Sequence, residues 1–443
     1  MSKCVLPILA VILAWAPGVR ASGFQLREQS PAGQGNAFAG ASAGAQDISS
    51  MFWNPAVLPL FTGTQASLGA SWIGIRMEPS GVTGTRAPGF QPTSQPIAGS
   101  SSTSNAATQP VVPCFYLSWA LDDRFSLGFS VNVPYGLETN YPNDFAGRYY
   151  GLKTSLTTYD LAPAAAWRIN PQWTAGVALV ARRATATISN GVDFGAAGNS
   201  LGIPGLTPGG SDAVATLSGA AWAFGYKAGL TWQPAPDLRV GLAYQGKTDV
   251  DIKGAVSYTS VPGLLSGTVT NSLARATLNL PAVFSAGATW TVNPDFSLAG
   301  EAAWTQWSTF KELRVHFDSG QPDDVTDESW KDTWFVSVGG IWRLDSAWSV
   351  KAGLAYDRSP VDNAHRTPRI PDSDRTWVAA GVAWRATPST TVDFGATQIF
   401  APDVRVDLKS GSSPTDPNYG RGNLTGSYKV GVTVFALSVL HSF

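Results

Sequence analysis

Between Phe125 and Val133 the chain alternates strictly, with Phe125, Leu127, Phe129, Val131 and Val133 apolar and Ser126, Gly128, Ser130 and Asn132 small or polar. Trp348, Val350, Ala352, Leu354 and Tyr356 repeat the pattern against Ser349, Lys351, Gly353, Ala355 and Asp357. A period of two sends successive side chains to opposite faces of a strand. A soluble sandwich would alternate as well, so the punctuation between the runs decides. Six times a Trp is followed six residues later by the start of another run: Trp119/Phe125, Trp167/Trp173, Trp232/Leu238, Trp290/Phe296, Trp342/Trp348 and Trp384/Thr390. Turn formers separate each pair, among them Asp122-Asp123, Asn170-Pro171, Asn293-Pro294-Asp295 and Asp345-Ser346. Short turns bracketed by aromatics suit a membrane barrel, because indole rings favour the headgroup zone.

Longer polar connections lie near residues 79–110, 137–153, 190–217, 259–274, 318–330, 358–373 and 409–423. Seven of these alternating with six short turns predict fourteen strands, with both ends of the barrel on the turn side. An even count is what a bacterial single-chain barrel requires. The fold class is therefore all-β, a transmembrane antiparallel β-barrel of about 14 strands. The last run carries Phe435, Leu437, Val439, His441 and Phe443 on one face. A terminal Phe after alternating apolar positions resembles the signal read by outer-membrane assembly machinery, an expected partner through Phe443.

Ser22 to Phe61 breaks the pattern. It is rich in Gly, Ala and Ser, and Gly33, Gly35, Gly40 and Gly44 permit compact, irregular backbone. Such backbone is tolerated at membrane depth only inside protein, and a fourteen-stranded barrel leaves a lumen to fill or to conduct through. Composition alone also fits a disordered periplasmic tail. The expected division is a signal peptide over 1–21, an N-terminal hatch or plug over 22–61, and the barrel over 62–443.

The chain has 443 residues, only 14% of them charged, with 46 Gly and 17 Trp. No apolar stretch of about 20 residues, the length a helical span needs, follows residue 21. Lys3, the apolar run Val5–Trp15 and Val19-Arg20-Ala21 read as a secretory signal cleaved before Ser22. Cys114 would then be the one mature cysteine, so no internal disulfide framework is expected. A net charge of −1 gives no basic footprint for nucleic acid. His316, His365 and His441 are isolated, and no GxSxG, HExxH or phosphate-binding glycine loop occurs. No metal, cofactor or catalytic constellation is expected, and the chain does not read as an enzyme. The acidic run Asp318, Asp323, Asp324, Asp327 and Glu328 reads as a solvated outer loop, with cation bridging to lipopolysaccharide the lesser alternative.

Residues 23–40, GFQLREQSPAGQGNAFAG, followed by Trp53-Asn54-Pro55-Ala56, resemble the hatch of the FadL family, outer-membrane transporters of long-chain fatty acids and related hydrophobic compounds. The resemblance continues through Asn132–Leu137, Phe145–Tyr150, Trp304–Leu313, Asp357–Val361 and Ile370–Trp377, in order over nearly the whole mature chain. Val57 departs from it, standing where the family usually has Gly. The resemblance implies a monomeric bacterial outer-membrane channel amid lipid and lipopolysaccharide. A hydrophobic ligand would enter a pocket near the hatch N-terminus and leave sideways through a kink in the third strand.

Pro134 lacks the donor a ladder needs, and Gly136 allows a sharp bend. Those residues fit either a break within the third strand or its end before a loop. The resemblance favours the break, with Asn132, Pro134, Tyr135 and Gly136 forming a lateral gate against Asn54 and Pro55 of the hatch. It also places Phe24 and Leu26 in the ligand pocket. Parity along the fifth strand turns Ala178, Val180 and Arg182 inward, so Arg182 could receive a carboxylate, although lumen arginines also pair with wall carboxylates. The resemblance adds Arg314, whose face the broken parity around Trp304–Leu313 leaves open. Asp372 and Asp374 would anchor the N-terminus or form a loop-edge ion pair. The leading function is passive, hatch-gated uptake of long-chain fatty acids. Aromatic or other hydrocarbons are the alternative ligands, and a general porin or an outer-membrane enzyme the remoter classes.

Overall fold

The computed structural model describes residues 23–86, 95–267, 269–411, 413 and 416–443. The signal segment expected over 1–21 lies outside them. The wall is a closed antiparallel barrel of 14 strands. The first runs Thr64–Thr85, the second Val111–Ala120, and the third comes in two pieces, Phe125–Asn132 and Gly136–Asn140. The fourth to sixth are Lys153–Arg168, Trp173–Asp193 and Asp212–Ala235. The next four are interrupted: Leu238–Gln245 with Thr248–Thr259, Ser272–Leu280 with Val283–Asn293, Phe296–Thr305 with Glu312–Phe317, and Asp324–Asp327 with Thr333–Arg343. Trp348–Asp357, Arg375–Thr387, Thr390–Phe400 with Val404–Leu408, and Asn423–Ser442 complete the ring. Each residue expected to open a strand after a short turn, from Phe125 to Thr390, does so.

Closure comes from the first strand pairing with the last, from Gln65 opposite Ser442 to Thr85 opposite Asn423. This pairing carries the first strand past the expected loop start near residue 79, with a register shift between Ser80 and Thr83. Alternation sorts the faces as the pattern requires. Val177 and Leu179 are 58% and 69% exposed toward lipid, whereas Ala178, Val180 and Arg182 on the opposite face are buried. The girdle aromatics meet across the sheet. Trp173 stacks on Trp232 and Trp348 on Trp384, so the ring after one turn packs against the Trp before the next.

Residues 23–61 fill the lumen in short helical turns: Pro31–Gln34, Ala41–Ala43, Ile48–Phe52 and Pro55–Leu60. Side chains of Ser30, Asp47 and Asn54 cap three of them by accepting from the backbone N–H of Gly33, Ser49 and Ala56. Val57 is fully buried beside Ile48, Met51 and Leu58 and has negative φ, so its turn does not call for glycine.

The wall receives this irregular backbone in two ways. Glycines at one level give it room: a Cβ on Gly241 would lie 1.8 Å from the Ser42 carbonyl oxygen, on Gly353 2.2 Å from Asn36 C, and on Gly176 2.4 Å from Ala56 N. Gly69, Gly128, Gly229, Gly339, Gly381 and Gly395 continue this belt, each with hatch atoms closer than 3.0 Å to where a Cβ would sit. Cationic side chains then satisfy hatch carbonyls, as membrane depth demands. Lys351 donates to Ala32 O, Arg239 to Ala43 O and Gly44 O, Lys227 to Phe52 O, and Arg168 to Pro59 O. Glu301 accepts from the backbone N–H and hydroxyl of Ser42.

Candidate functional site

Beyond the belt a cluster of buried apolar side chains forms a slot in the lumen. Phe24, at the start of the hatch, is 4% exposed and meets Trp307, Trp330 and Phe310 with ring centroids 4.9, 5.5 and 5.8 Å away and Tyr135 at 6.1 Å. Leu156, Val250, Ile252, Leu278, Leu280 and Val361 extend the same buried cluster. Strand interruptions build this slot. The ninth strand halts at Thr305, letting the turn Trp307–Thr309 push Trp307 inward, and the tenth pauses after Asp327 to bring in Trp330. The halt at Thr305 is why alternation fails around Trp304–Leu313. Within the pause after Asp327, the Trp330 indole N–H donates to Glu328 at 2.8 Å.

The third strand is broken at Val133-Pro134-Tyr135. Asn132 opposes Asp160 and Gly136 opposes Thr157, so three residues of the third strand face two of the fourth. On its other side, pairing with the second strand runs only from Ala120/Ser126 to Phe115/Val131. Val111–Cys114 therefore have no ladder partner on the third strand. The hatch covers this break as a surrogate strand. Gly136 N donates to Phe24 O, and Leu26 N to Pro134 O, at 3.1 and 2.9 Å. Farther on, the Gln29 amide accepts from Val133 N and donates to Val133 O, at 3.0 and 2.7 Å. Tyr116, itself receiving a bond from Asn132, donates to Gln29 O. Leu26 lies over Gly136, where a Cβ would come within 2.9 Å of its Cδ1.

The structure thus brings Phe24, Leu26, Asn132, Pro134, Tyr135 and Gly136 together. Arg182 lies at their edge, its guanidinium 4.9 Å from the Tyr135 ring centroid and bound in a fork to both Asp160 oxygens at 2.7 Å. Asp372 accepts from Gly23 N at 2.9 Å and from Arg375, which also donates to Gly23 O. Asp374 receives the Tyr356 hydroxyl. Arg314 is half exposed on the outer piece of the ninth strand, paired with Glu312 and Asp323 and apart from the slot. Asn54 and Pro55 meet the fifth to seventh strands, Asn54 donating to Ser42 O and Leu230 O and Pro55 lying under Gly176, whereas the break's own partners are Phe24 to Gln29. Gln29, the Trp307–Trp330 pair and the glycine belt carry no individual sequence signal of their roles. Only the recurrence of inward-parity glycines at one height in successive strands could have pointed to the belt.

Comparison with known proteins agrees with this geometry. The family described as outer membrane protein transport protein (OMPP1/FadL/TodX) matches residues 11–443. A long-chain fatty acid transport protein of Escherichia coli O6:H1 is 30% identical over 416 residues, covering 88% of this chain and 90% of its own length. The crystal structure of a Pseudomonas aeruginosa FadL homologue superposes with a TM-score of 0.86 at 25% identity, covering 95% of this chain and all of that one. The Ralstonia pickettii toluene transporter TbuX shares the fold, with a TM-score of 0.67 at 19% identity over 94% of this chain and 99% of its own. The chain is an outer-membrane β-barrel belonging to the family of FadL and TodX transport proteins.

Proposed function

We propose that this channel takes up long-chain fatty acids or similar hydrophobic molecules, the ligand replacing Phe24 in the aromatic slot and leaving sideways at the broken third strand. The observation that carries this reading is the double role of the hatch N-terminus. Phe24 fills the slot, and its own carbonyl and the N–H of Leu26, one on each side of Gln25, are bonded to the break, so emptying one loosens the other. Withdrawing a buried Phe side chain costs about 3–5 kcal/mol and each backbone bond about 0.5–1.5 kcal/mol. A chain gaining about 0.8 kcal/mol per buried methylene offsets that only after roughly five to ten methylenes. Long ligands would open the gate and small solutes would not, which argues against a general porin. Pro113 and Pro134, one on each edge of the gap, remove donors that would otherwise seal it. Asp372 and Arg375 are the tether the N-terminus would have to leave. Asn54 and Pro55 would keep the inner hatch in place while its N-terminus moves.

A second reading, uptake of aromatic or other hydrocarbons, is favoured by Arg182. Its fork is already occupied by Asp160, and a neutral ligand needs no cation. The exposed Phe443 at the end of the last strand is available to the assembly machinery.

The lateral exit is tested by deleting Pro134, which restores two-for-two pairing with the fourth strand. Uptake of labelled oleate should fall to background while the barrel keeps its heat-modifiable mobility on gels. Undiminished uptake would exclude this exit.

A further inference from the structure

One residue past Leu26, Arg27 is 5% exposed, and its Nε and Nη2 are buried with no hydrogen-bond partner among the described residues. Its guanidinium lies 3.7 Å from the Phe335 ring centroid, which holds the plane without using the N–H donors. Beside it is a cavity of about 20 Å³, lined among others by Gln25, Phe52, Trp53, Gln245 and Ser285. Gln25 Oε1 is likewise buried without a partner. Gln245 ties this cavity to the aromatic slot, donating to the Tyr135 hydroxyl at 3.2 Å. Of the lining residues, Phe52 also meets Lys227, whose Nζ lies 3.7 Å from its ring centroid.

We propose that Arg27, with the amides of Gln25 and Gln245, is a carboxylate-receiving subsite for amphipathic ligands on the path inward from the slot. This rests on the reading of the chain as a hydrophobic-ligand channel and narrows its substrate class to anionic amphipaths. The alternative role for Arg27 is balancing buried charge, since Asp357, Glu301 and Glu28 lie within its electrostatic reach. None of them engages Nε or Nη2, however, so the two donors that would form a fork with a carboxylate stay open. Arg182 contrasts with it, because its fork is closed by Asp160. The cavity has room for about one water-sized group. The head group therefore enters as the Phe24–Leu26 segment yields, and the alkyl chain trails into the slot behind it.

The test compares oleate with oleyl alcohol, which share a chain and differ at the head. Both are titrated by calorimetry into the purified full chain in detergent. The wild type should prefer oleate by tenfold or more. Arg27→Met should abolish that preference and leave oleyl alcohol within twofold. Equal wild-type affinities, a parallel loss for both ligands in Arg27→Met, or no change in either would each overturn the subsite. If neither ligand binds the wild type, the channel reading itself fails. Should Arg27→Met not assemble, Ser285→Asp supplies a wall carboxylate to the same cavity. It should weaken oleate selectively, and an unchanged preference for oleate would again count against the subsite.

Discussion

On the proposed uptake route, Phe24 occupies space that an incoming chain needs, so it would act as a built-in competitor. A binding-competent state that must first be vacated lowers apparent affinity by its population. Phe24→Ala removes the competitor, and the variant should bind oleate about a hundredfold more tightly, given the roughly 3 kcal/mol that burial of the ring supplies. Calorimetry decides this, and weaker binding would show instead that the ring is a contact for the ligand. At this scale the sequence was legible where strand period or family resemblance applied. Parity turned Arg182 inward, and resemblance pointed to Phe24, which lies in the slot, and to Leu26, which lies over Gly136 at the break. Neither could show that Asp160 closes the Arg182 fork, because a cross-strand partner depends on register. Gln29 and Arg27 lie in irregular backbone, where no period says which way a side chain faces.

At the scale of elements, the belt explains how a hatch without strand or long helix can be held firmly. Its backbone lies against wall backbone, and wall cations reach around the glycines to its carbonyls. Gly241→Val would force side-chain carbon onto the Ser42 carbonyl and should dislodge the hatch. The expected signs are proteolytic cleavage within residues 30–60 and raised ion conductance in planar bilayers. Gly431→Ala, which meets nothing within 4 Å, is the control and should resemble the wild type. Equal behaviour of the two variants would mean that the close approach carries no seating role. The strands themselves were legible because two independent patterns, alternation and aromatic-flanked turns, gave the same boundaries. Their interruptions were less so. Pro134 announced one and Pro281 marks the pause after Leu280, but the pauses after Gln245 and Asp327 follow from how the wall bends around the slot, a tertiary demand without a proline to signal it.

For the whole molecule, fourteen strands set a lumen wide enough to need a filling, and the hatch is continuous in sequence with the first strand. That first strand is also the one the last strand must find to close the ring. These two connections imply an order of construction. A ring that closed empty would have to admit the hatch afterwards through a mouth crowded by its own connections. A ring that closes around a hatch already tethered to its leading edge uses that segment as a former, shaped by the wall and shaping it in turn. Moving residues 22–61 to follow Phe443 would reverse the order while leaving every contact chemically available. Such a chain should build its wall yet conduct as an open pore, and single-channel recording would reveal it; a silent, plugged channel would mean that the filling can arrive last.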